Sequence, residues 1–138
     1  MRFLMMIKAA ETSEPPTPEL IAAVGKLARE MERSGTLLDS GGLAPSAAGA
    51  RIRLNGAKLV VTDGPFAETH EVIGGYAILR AHSKREAIEL GTRFMQLHAD
   101  ILGSSYRAEC EVREMFDSPA ALEGVTTCAI HESSPGQY

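Results

Sequence analysis

The sequence predicts an α+β domain of ferredoxin-like, split βαβ order with an inserted β-hairpin, and three observations carry that prediction. Two amphipathic helical stretches each stand between strand-like runs. An Asn55-Gly56 pair separates two short strand-like runs in mid-chain. A continuous apolar run of strand length begins almost at the first residue, as a buried central strand would. The order that results is strand, helix, strand, hairpin, strand, helix, strand.

Each element has its own reason. "RFLMMIKA", Arg2 to Ala9, is the opening strand. After the breaker "SEPP", Thr17 can cap a helix, Pro18 suits its first position and Gly35 can end it. Leu20, Ile21, Val24, Leu27, Ala28 and Met31 recur at helical spacing, so that helix lies on a sheet. "TLLDSGGLAPSAAG" starts as a strand and dissolves into a mobile connection, in which Gly41 and Gly42 leave the backbone open to close approach. "RIRLNGAKLVVT" reads as a hairpin closed by a type I′ turn at Asn55-Gly56. "GGYAILRA" is a further strand, and "SKREAIELGTRFMQLHADIL" a second helix opened by a capping box of Ser83 and Glu86. "YRAECEVREMF" alternates as the last strand, with Ala108, Cys110 and Val112 on one face.

With 138 residues and 44% hydrophobic content the chain supports one core. Residues 1–116 form that domain, and residues 117–138 an extension, partly flexible, with a helical turn, an edge strand and a frayed tail. Both helices cover one sheet face, which leaves the other face apolar and asks for a second copy of the chain. The net charge of −4, with Lys and Arg scattered, argues against a nucleic-acid or membrane surface, and no apolar run reaches membrane-spanning length. A cytoplasmic protein is expected, with Cys110 and Cys128 as thiols and Cys110 a small core residue.

The common cofactor and nucleophile motifs are absent, and no metal-ligand spacing stands out, so no cofactor or metal is expected. Attention falls on "VTDGPFAETHEVIGGY", Val61 to Tyr76. Asp63 before Gly64 and Pro65 suits a tight turn, and equally a carboxylate placed on a loop wall. His98 shares a helical stripe with Ala87, Gly91 and Phe94, so it faces the sheet, either tethered to a backbone carbonyl or acting as a general acid or base oriented by Asp63. Arg51 and Arg53 alternate with apolar neighbours, which fits a solvated hairpin face or, at one of them, an anion contact.

These residues resemble the DGPF branch of the YCII-related family over about Arg2 to Phe116. The resemblance implies a dimeric α+β barrel of ferredoxin-like halves. It implies two roles: a small-molecule enzyme using a His/Asp pair, akin to dehydrochlorinase-like members, or a ligand-sensing partner of extracytoplasmic-function sigma factors. Carried over by motif are Asp63, Gly64, Pro65, Phe66, Glu68, Gly74, Gly75 and Tyr76; His70 stands where members of that branch usually carry lysine, and it brings a side chain able to exchange protons near neutral pH. The expected site therefore comprises Asp63 and His98 as the proton-handling pair, with Gly42, Arg53, Phe66, Glu68, His70 and Tyr76 around an unknown small molecule. The expected chemistry is elimination or isomerisation; the alternative is a regulatory module without catalysis.

Overall fold

The computed structural model describes residues 1–66 and 70–118. Glu68, Cys128, His131 and the elements expected from Pro119 onward lie outside them. A four-stranded antiparallel sheet is built from β1 (Arg2–Ala9), β2 (Leu37–Gly42), β5 (Val72–Arg80) and β6 (Ala108–Met115), in the order β2-β5-β1-β6. A separate two-stranded ribbon holds β3 (Ala50–Asn55) and β4 (Lys58–Asp63). The helices are α1 (Pro18–Arg33) and α2 (Lys84–Leu102).

Strands β1 and β2 both run antiparallel to β5, so α1 joins two parallel strands with a third between them; α2 does the same from β5 to β6 across β1. This interleaving puts both helices on one face. Phe3 and Met5 of β1, Ala77 and Leu79 of β5 and Leu27 and Met31 of α1 form the core there. Alternation then sends Leu4, Met6 and Ile78 to the opposite face, beside the Lys8–Glu111 ion pair at 2.8 Å. No helix among the described residues is long and apolar enough to cross a membrane.

The helix signals operate as their chemistry requires. Thr17 accepts the Leu20 amide, Pro18 is the first helical residue, and Gly35 follows the last turn with φ of 76°. In α2 the Ser83 hydroxyl accepts the Glu86 amide, while the Glu86 carboxylate reaches the amide of His82, one residue short of the reciprocal capping-box bond. The hairpin turn differs from expectation. Asn55 pairs with Lys58 as a strand residue, and the loop is Gly56-Ala57 with positive φ at Gly56 alone, the type II′ pattern. Placing the glycine first in the loop spares asparagine a left-handed conformation.

The segment after β2 is anchored rather than a free connection. A single 3₁₀ turn at Ser46–Ala48 is held by Glu11, from beyond the end of β1, whose two carboxylate oxygens accept the Ser46 amide and hydroxyl, each at 2.5 Å. That bond spans thirty-five residues.

Candidate functional site

Between the two helices and the sheet lies a cavity of about 450 Å³, within the range of small-molecule sites. The stripe of α1 supplies one wall, with Leu20, Val24, Leu27 and Met31; Leu90, Phe94 and His98 of α2 supply another. The floor is Met5 and Ile7 of β1 with Ala77 and Leu79 of β5. Its fourth side runs along Ser40, Gly41 and Gly42 of β2 and Gly74, Gly75 and Tyr76 of β5, where the sheet carries almost no side chains. Gly74 is skipped in the register between β1 and β5, and its carbonyl accepts the Leu43 amide. A Cβ on Gly41 would stand 2.9 Å from the Tyr76 ring, so this ring fits across β2 only because glycine is there.

His98 is 7% exposed, on the stripe with Ala87 and Gly91. Its Nδ1 lies 3.0 Å from the Phe94 carbonyl oxygen, which can only accept, so Nδ1 carries the proton and Nε2 of the neutral ring is left with a lone pair. Among the described residues the ring has no second hydrogen bond, yet no sealed side-chain nitrogen or oxygen there lacks a partner. Nε2 therefore keeps some exposure rather than being sealed in the protein. The ring meets Phe94 at 4.6 Å and 57° and stacks on Tyr106 at 5.8 Å and 19°, which fixes its plane.

Of the other expected site residues, Gly42 and Tyr76 line this cavity, while Asp63, Arg53, Phe66 and His70 are not among its lining. Tyr76 donates its hydroxyl proton to Asp39 at 3.1 Å, and that bond raises the phenol above its ordinary pKa. Asp63 is exposed at the base of the ribbon, paired in register with Ala50. Arg53 and His70 are exposed too. Burial pushes up the Cys110 thiol, so it behaves as a core group, packed under Gly91. No three His, Cys, Asp or Glu side chains converge as a metal site requires among the described residues.

The Asp-Gly-Pro-Phe corner has a structural function of its own. Gly64 donates its amide to the Gly49 carbonyl, Phe66 donates its amide to the Ser46 hydroxyl at 3.1 Å, and Arg51 sits 4.0 Å above the Phe66 ring. A Cβ on Gly64 would fall 1.7 Å from the Ser46 carbonyl oxygen. The corner thus docks on the turn that Glu11 holds. Glu11 and Ser46 escape sequence reasoning because an acid and a serine thirty-five positions apart carry no shared pattern.

Hydrogen bonds from Ser46, the side chain first and the backbone second, hold the Glu11 carboxyl below the usual carboxylate value. A depressed acid contributes stability above its ordinary pKa and loses it as pH falls through the folded-state value. Ser46→Ala is therefore expected to lower the melting temperature at neutral pH by more than it does on acidification. A residual cost should remain from the lost Phe66 amide bond. Thermal melts between about pH 7 and 3 check this, and a difference independent of pH would contradict it.

An antiparallel sheet under two helices, with an apolar cavity between the layers that His98 lines, defines an α+β domain. The chain belongs to the YCII-related domain family, whose match covers residues 1–102. Strand β6 lies beyond the match yet pairs with β1 along its whole length, so it completes the same sheet. A search among curated proteins found no significant match.

Proposed function

We propose that this protein binds a small molecule in the cavity between helices and sheet, with His98 as the group that exchanges a proton with it. The observation that carries this reading is the His98 ring, which lines an apolar cavity, is held through Nδ1 by the Phe94 carbonyl, and has an Nε2 that is not sealed. In the enzymatic version Nε2 takes a proton from the ligand; in isomerisation it returns that proton to another atom of the ligand, and in elimination the C–H pair forms the new double bond while the leaving group departs and takes the proton. Asp63, outside the cavity lining, belongs to the corner at the base of the ribbon in this reading. The Asp63-Gly64-Pro65-Phe66 string supports placing the chain in the DGPF branch.

The same proposal includes a ferredoxin-like half-barrel that closes on a second copy through Leu4, Met6 and Ile78; the strand order supports it. It also includes a cytoplasmic setting, which suits a half-buried Cys110 thiol.

A protein-interaction role, with a sigma factor as the partner class, is the second reading, and the ribbon favours it. Ile52, Leu54, Leu59 and Val61 share one of its faces by register, with Ile52 71% and Val61 65% exposed.

Indole separates the readings. The chain has no tryptophan, so the probe's own fluorescence reports its entry into an apolar site. Saturable binding at one indole per chain is expected, and a linear, unsaturable response would remove the cavity reading.

A further inference from the structure

The chemistry of the cavity wall restricts what can occupy it. Among the described residues, no lysine, arginine, aspartate or glutamate lines it. The polar residues there, among those described, are Ser40, Tyr76 and His98, and Tyr76, in register with Met6, carries its ring on the opposite sheet face. Tyr76 has committed its proton to Asp39, and His98 has committed Nδ1–H to Phe94, so His98 offers an acceptor at Nε2 and no donor in its neutral form. An ionised group entering such a space loses its hydration without gaining a counter-ion.

The shape of the wall adds a second restriction. Phe94 and His98 meet at 57° with centroids 4.6 Å apart and both line the cavity, so they form an aromatic corner into which a flat ring fits face to edge. Met5 and Met31 also line it, and thioether sulfurs make favourable contacts with ring edges.

We propose, resting on the reading of the cavity as a ligand site, that it selects an uncharged, planar, mostly apolar molecule that donates one hydrogen bond, from N–H or O–H, to Nε2 of His98. The donor decides orientation, because Ser40, the other polar residue turned to the helix side, is exposed to water at the edge of the wall. Selectivity against anions comes from the missing cation. Exposed Arg29 is outside the lining, although its Nη1 lies 3.3 Å from where a Cβ on the lining residue Gly25 would stand.

Three probes of one ring system separate the terms: indole, which donates an N–H; 1-methylindole, which keeps the body and loses the donor; and indole-3-carboxylate, which keeps the donor and adds a charge. Titrated into the full chain at neutral pH and followed by probe fluorescence, indole is expected to bind about tenfold more tightly than 1-methylindole. Indole-3-carboxylate is expected to bind at least tenfold more weakly than indole. His98→Leu should bring indole and 1-methylindole to equal affinity while 1-methylindole binding itself persists, which shows the cavity intact. The wild-type series stands alone if that variant does not fold.

Equal binding of indole and 1-methylindole to the wild-type protein would overturn the donor requirement. Tighter binding of indole-3-carboxylate, lost in Arg29→Ala, would overturn the exclusion of charge and place an anion at the helix rim. Failure of all three probes to saturate would instead remove the underlying cavity reading, so the two failures are distinguishable.

Discussion

Gly64→Ala is expected to destabilise the domain by about 3 kcal/mol or more, since overpacking against atoms that cannot turn aside lies at the upper end of such costs. The new Cβ would fall 1.7 Å from the Ser46 carbonyl oxygen and 2.5 Å from its carbon. Both are backbone atoms, and Ser46 is held by Glu11 through its amide and hydroxyl. Relief requires moving the corner, which breaks the Gly64 bond to Gly49 and the Phe66 bond to Ser46. Gly91→Ala is the control of opposite sign. Its Cβ would meet Val112, Cys110 and Met5 at 3.4 to 3.6 Å, ordinary contact, within helix α2. Helical alanine in place of glycine is expected to add about 0.5–1 kcal/mol. Chemical denaturation measures both, and a Gly64→Ala protein as stable as the parent would show that the corner does not dock on Ser46.

Leu4→Asp is expected to leave the monomer folded and convert a dimer into monomers. Leu4 lies on the sheet face away from the helices, in register with Ile78 on one side and Arg113 on the other. In a single chain the new carboxylate meets water or Arg113. Against a second copy packed on this face it would lose water on association, which costs at least about 2 kcal/mol per chain. Light scattering at micromolar concentration is expected to show a dimer for the parent and a monomer for the variant. A monomeric parent would remove the dimer from the proposal.

Local signals made much of the fold legible. The stripe from Leu20 to Met31 set α1, Asn55-Gly56 set the hairpin, and β1 and β6 begin where apolar run and alternation say they should. The turn type was not legible, because Asn55 belongs to the strand pair with Lys58 and the loop begins one residue later. Helical spacing placed His98 toward the sheet, and it is buried there beside Gly91. Spacing says which face of a helix turns inward, but not how completely the space beneath is filled. Hence α1 read as core packing, and the cavity along it had no sequence signature. Nor did the docking of Gly64 and Phe66 on the Ser46 turn, which depends on a contact with Glu11 far away in sequence.

The most direct test follows the leucine, isoleucine and valine methyl groups by NMR as indole is added to the full chain. Shifts at cavity methyls such as Ile7, Leu20, Val24, Leu27 and Leu90, with Ile52, Leu54, Leu59 and Val61 unmoved, are the expected result, because the first set lines the cavity and the second stands on the ribbon. Shifts on the ribbon with the cavity methyls silent would contradict small-molecule binding between helices and sheet.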